Sequence, residues 1–295
     1  MNRLAIGFFT IFLFFIGYMH FFTSQKEESI INSIVQLKLY ENSQKMEIEN
    51  LLGDITVNTQ FHNKIVVNGV QRPGFLHVYI IPDEAHIPGD PEITKILSYF
   101  GRGCAYIGYN STIICSGKFL EDGFITRKDI LSGLAASQDF DAAIKEHQTA
   151  FLTWVLAHEL GHAVKNHKPA HFSEAAFHDE VVSASISHRQ ELEADEFAYK
   201  SIYSDDSRSL IVERLIIDII NSEIRRIIGP ENLPYGVGIH YDYTGGQVME
   251  YAARGTHPEF IIRATRLLLL AGERPGNGWI KEMAVEIASQ MKKTQ

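Results

Sequence analysis

The sequence predicts an α+β fold, mostly helical with a small antiparallel sheet, preceded by an N-terminal transmembrane helix. Three observations predict it. Phe151, Leu152, Trp154, Val155, Leu156, Leu160, Ala163 and Val164 give a nearly continuous apolar surface over two helical turns, with no proline before Pro169, as expected of a buried helix. Residues 65–81 and 104–115 are rich in β-branched and aromatic residues and are broken by turn formers. Leu4 to Phe22 is an uncharged, mostly apolar run, long enough to span a bilayer. The 295 residues, 45% hydrophobic and 21% charged, suit one globular domain with extensions. A net charge of -9, with no Lys/Arg cluster, argues against a nucleic-acid partner.

The 4–22 run is preceded by Arg3 and followed by Gln25-Lys26-Glu27-Glu28, with no A-x-A-like cleavage site and no early cysteine. It is expected to be an uncleaved single-pass anchor within residues 1–24, contacting the membrane and leaving the domain on the extracytoplasmic (periplasmic) side. Secretion after signal cleavage is the alternative. Ser29 to Leu52 places Ile30, Ile31, Ile34, Val35, Leu37, Leu39, Met46, Ile48 and Leu51 between polar residues. One or two amphipathic helices are expected there, packing on the domain or forming a helical linker over 25–60.

Ile65–Gly69 and Phe75–Ile81 read as strands separated by Gln71-Arg72-Pro73-Gly74. Pro91–Phe100 resembles a short helix. Residues 104–115 form two strand-like runs meeting near Tyr109-Asn110, a hairpin pattern. That turn would set Cys104 opposite Cys115, either as a cross-strand disulfide or as two small buried side chains. Glu121–Asp141 reads as a loop with a short helix, and Phe172–Ile186 as a link between helices. Ser209–Ile228 reads as a helix ending at Gly229-Pro230, and 229–255 as an irregular Gly/Tyr-rich segment. Helices are expected at Pro258–Leu270 and Trp279–Met291.

Within the buried helix, Ala157–His167 reads AHELGHAVKNH. His158 and His162 then stand one turn apart on one face, and two imidazoles so placed can grip a zinc ion. Glu159 lies beside that ion, where it can act as a general base towards water. Polar groups on a buried helix need partners. A metal would satisfy all three, the alternative being a core helix in which histidines recur by chance. A third ligand is offered by Ser187–Ala198, SHRQELEADEFA, where Glu191 and Asp195 share one helix face. Catalytic zinc commonly takes two His and one Glu and leaves a position for water. Glu191 completes that set, Asp195 can accept the free N–H of a ligand imidazole, and Glu193 points elsewhere. The competing reading is a solvated acidic face. In the extended HExxHxxGxxH pattern the Gly and the last His fall on Lys165 and Lys168, so that class does not apply. His167, His171 and His178 are then expected as surface or loop histidines.

HELGH at 158–162 followed by ELEADEFA at 191–198 resembles the zinc metallopeptidase family of the CAAX prenyl protease, the heat-shock membrane protease HtpX and the mitochondrial overlapping-activity protease. Thr256-His257-Pro258 with Arg263 is similar to that family's late (S/T)HPxxxxR element. The resemblance implies a zincin-like metallopeptidase domain over 61–295. One Zn2+ per chain would be held by His158, His162 and Glu191, with Asp195 supporting the ligands and Glu159 as base. His257 would be a second oxyanion donor, although a capping or buried His beside Pro258 fits the residues equally well. The hairpin and Ser116–Leu120 resemble a family strand that edges the cleft and pairs with extended substrates, with Cys104 where Asn is usual. The implied function is a zinc-dependent endopeptidase acting on protein or peptide substrates, among them membrane-associated or misfolded envelope proteins. The alternative is a non-catalytic, chaperone-like zinc-binding relative, which would have no use for Glu159.

Overall fold

The computed structural model of the chain describes residues 28, 31–32, 34, 44–81, 103–117, 120, 140–167, 180–202, 260–282 and 284–285. The expectations for 4–22, Pro91–Phe100, Ser209–Ile228 and 229–255, and for His171, His178 and His257, lie outside these residues. Among the described residues no helix is long and apolar enough to cross a membrane.

The chain is α+β, mostly helical with a small sheet. In order it forms α1 (Gln44–Ile55), β1 (Ile65–Val67), β2 (Leu76–Ile81), β3 (Cys104–Tyr106) and β4 (Thr112–Ser116), then α2 (Phe140–Lys165), α3 (Glu180–Ile202) and α4 (Phe260–Ala271). The sheet order is β1-β2-β4-β3. Its pairing corrects the antiparallel expectation: β1 runs parallel to β2 and β2 parallel to β4, and only β3–β4 is antiparallel.

Parallel neighbours usually need a long crossover, yet β1 reaches β2 through residues 68–75. The three-residue length of β1 makes this possible, because the return path along it is short. Asn68 starts the return in a left-handed backbone conformation, φ 49°, which asparagine tolerates. Its side-chain Oδ1 accepts from Ile80 N at 2.8 Å and its N–H donates to Val78 O at 2.9 Å. The tyrosine hydroxyl of Tyr79 donates to Gly69 O at 3.2 Å.

β2 is buried along its whole length, as its run of Val, Tyr and Ile requires. Leu76, Val78 and Ile80 join Ile113 and Cys115 in the main core. α1 packs on the domain through Ile48, Leu51, Leu52 and Ile55, and α2 adds Leu156, Ala157, Leu160 and Ala163. Burying each of the larger aliphatic side chains contributes about 1.5–3 kcal/mol.

The β3–β4 hairpin forms as its sequence suggests. Its turn, Tyr109–Ser111, carries Asn110 and Ser111 at positive φ, and its register pairs Cys104 with Cys115. The two cysteines are joined in a disulfide, and β3 is one edge of the sheet.

α3 starts at Glu180, so residues 180–186 are helical rather than part of a link. The β-branched and serine residues at 181–187 are weak helix formers. A helix nucleated in the stronger run from Arg189 nevertheless extends back at low cost per residue. α2 and α3 approach closely at Gly161: a Cβ there would lie 3.0 Å from Ala194 Cα and O and 3.2 Å from Phe197 Cβ. This contact lets α3 present its carboxylates directly to the face of α2 that carries the histidines.

Candidate metal centre

The α2–α3 interface brings His158, His162 and Glu191 together. All three are buried, and one ligand atom from each lies within 4.8 Å of the others. The two imidazoles face each other through Nε2 atoms 3.1 Å apart. Glu191 faces both, Oε2 at 3.2 Å from His158 Nε2 and Oε1 at 3.5 Å from His162 Nε2. This follows from the repeat of the helix: His158 and His162 share one face of α2, while Glu191 and Asp195 share one face of α3.

The surrounding side chains orient the imidazoles. His158 Nδ1 lies 2.9 Å from Asp195 Oδ1, so the ring donates there and turns Nε2 inward. Asp195 is clamped by Arg263 of α4, whose Nε and Nη2 donate to its two oxygens at 2.7 Å each. Arg263 Nη1 also lies 3.5 Å from Glu191 Oε2. Glu159 Oε2 accepts the backbone N–H of Tyr106 on β3 at 2.7 Å, and the Tyr106 ring stacks on His162 with centroids 6.2 Å apart.

His167 is buried, contrary to its expected surface or loop position. Its Nδ1 lies 3.0 Å from His162 Nδ1 and its Nε2 lies 3.0 Å from Glu193 Oε2. Glu193 therefore does not point away into solvent but holds this second imidazole. The signal for His167 was present in the sequence as an asparagine followed by histidine where α2 stops. The partner of Arg263 had no local signal, because the contact joins positions 68 residues apart.

The electrostatics show a demand for positive charge between the three ligand atoms. Burial alone would pull the His158 pKa down, but its hydrogen bonds to Asp195 and Glu191 outweigh that and lift it to about 10. Burial and the nearby charge of His158 push His162 down to about 3. Without an ion, a proton on His158 therefore supplies the cationic charge beside Glu191. Among the described residues, the centre sets three buried carboxylates, Glu159, Glu191 and Asp195, against one guanidinium. A divalent cation would balance the two remaining negative charges. The donor set of two imidazoles and one carboxylate fits zinc.

Glu159 has its pKa raised to about 7, chiefly by burial and further by Glu191, against the opposing pull of His158 and the Tyr106 N–H. That value suits a group exchanging a proton near neutral pH. Burial opposes ionisation of Asp195, but hydrogen bonds from Arg263 and His158 prevail and hold its pKa at about 2.

A mostly helical α+β chain with a buried two-histidine, one-glutamate cluster is of the kind that can bind a catalytic metal. Residues 128–226 match the family model described as Peptidase U49, a match that covers both helices of the cluster and about a third of the chain. It supports a peptidase. No curated protein and no solved structure matches the chain.

Proposed function

We propose that the protein is a zinc-dependent endopeptidase. The observation that carries this reading is the convergence of His158, His162 and Glu191 in a buried cluster, with Glu159 adjacent in sequence to the first histidine. A bound zinc ion supplies Lewis acidity, polarising both the attacking water and the peptide carbonyl. His158, His162 and Glu191 hold it, with Asp195 and Arg263 keeping His158 in the required tautomer. Glu159 takes the proton of the attacking water and passes it to the leaving amine. The N–H of Tyr106 holds one oxygen of Glu159 and leaves the other for this exchange. The exposed edge of β3 offers backbone groups to an extended peptide, and His257 is proposed as a second oxyanion donor.

The proposed substrates are membrane-associated or misfolded envelope proteins, reached by a domain anchored through residues 4–22 outside the cytoplasm. The Cys104–Cys115 disulfide supports an oxidising compartment. A non-catalytic zinc protein is the weaker reading, since a purely structural site commonly closes its fourth position with another ligand.

The test is Glu159→Gln in the detergent-solubilised full chain, with unfolded casein as substrate. Zinc content should stay at one per chain, while turnover, sensitive to phenanthroline in the wild type, should fall by a factor of about 100–10,000. Unchanged turnover in the variant removes the proposed base.

A further inference from the structure

His167 has no part in the chemistry above, yet it is buried against a proposed ligand. The way α2 ends puts it there. Asn166 adopts a left-handed backbone, φ 53°; its N–H donates to Ala163 O at 3.2 Å, and the next N–H, of His167, donates to His162 O at 3.0 Å. This paired pattern is a Schellman stop, which folds the second residue past the helix back over the last turn. The contact it creates is usually between two apolar side chains. Here it is between two imidazoles, with ring centroids 5.0 Å apart.

The protons can be assigned from the acceptors. His162 turns Nε2 towards Glu191 and His158, so a metal there requires that nitrogen bare and the ring proton on Nδ1. That Nδ1 faces His167 Nδ1 at 3.0 Å, and only one of the two can carry a hydrogen. His167 must accept through Nδ1 and keep its own proton on Nε2. Its Nε2 faces Glu193 Oε2 at 3.0 Å, an acceptor when ionised. Each hydrogen bond thus has one donor and one acceptor. The Nδ1 of His167 is engaged with His162, which makes it a poor candidate for a fourth ligand.

We propose that His167 is a positioning residue for the metal centre, fixing the tautomer and ring plane of His162 through a His162–His167–Glu193 relay that matches the His158–Asp195–Arg263 relay on the opposite ligand. Both imidazoles are then oriented from behind, one by a carboxylate of α3 directly and the other by the terminus of its own helix. Outer partners of this kind typically change metal affinity by about 10–100-fold. The proposal rests on the metal-centre reading.

The experiment measures the zinc dissociation constant of the full chain by competition with a chromogenic chelator, together with the visible absorption of the cobalt(II)-substituted protein. His167→Ala should weaken zinc binding by about 10–100-fold and alter the cobalt bands. His167→Asn, which sets an amide oxygen close to the Nδ1 position, should restore affinity to within about threefold of wild type. Should His167→Ala not fold, Glu193→Ala reads the same relay from a partly exposed position, and several-fold weaker binding is expected. Wild-type affinity in both His167→Ala and Glu193→Ala overturns the proposal, as does equal loss in His167→Ala and His167→Asn, since a mere packing role would not distinguish them. A wild-type chain that binds no zinc overturns the metal-centre reading itself, whereas zinc binding that ignores position 167 overturns only the relay.

Discussion

Asp195 holds two partners at once, accepting from His158 at 2.9 Å and from both arms of Arg263 at 2.7 Å. Its pKa is depressed from 3.8 to about 2. A carboxylate so shifted contributes stability that is present above the unfolded value of 3.8 and lost as pH falls towards 2, an effect of about 2 kcal/mol. Asp195→Asn in metal-free protein should therefore melt lower near neutral pH, where Arg263 loses its charged partner, and its melting temperature should fall less between pH 5 and pH 2 than that of wild type. Parallel acid profiles would show that this carboxylate is not linked to folding. At this scale, His158, His162, Glu191 and Asp195 were legible in the sequence because each pair is four residues apart on one helix. The roles of His167 and Glu193 were not, because they depend on where α2 stops and how it turns.

Gly161 sets the distance between the two helices that carry the ligands. Replacing it with alanine would gain about 1 kcal/mol of helix propensity but would drive a methyl group against the Ala194 backbone at 3.0 Å. A backbone cannot rotate away, so overpacking of about 1–3 kcal/mol should win. Gly161→Ala is expected to lower stability in urea denaturation and to weaken zinc binding, because α3 carries Glu191 with it; unchanged values for both would mean that α3 can slide freely. The elements themselves were largely legible, α2 from its apolar surface and the β3–β4 hairpin from two strand-like runs about an asparagine turn. The parallel course of β1 was not, because three residues carry too little pattern to show direction, and the crossover that normally announces a parallel pair is short here.

Across the whole molecule, the disulfide closes the hairpin over a sequence separation of 11. Closing a loop of that size should stabilise the fold by about 2–3 kcal/mol. Reductant should lower the melting temperature by several degrees in wild type and leave a Cys104→Ala/Cys115→Ala double variant unaffected; equal shifts in both would place the sensitivity elsewhere.

The centre is assembled from α2, α3 and α4, and Arg263 joins Asp195 across 68 residues of chain. A ribosome that has delivered both histidines and Glu191 has yet to make the guanidinium that neutralises Asp195. Hydrolytic power is thus withheld until synthesis is nearly complete, so a nascent chain poses no danger to its neighbours. Fragments released after residue 255 should neither retain zinc nor digest casein, and a fragment that did both would show that the last helix is dispensable.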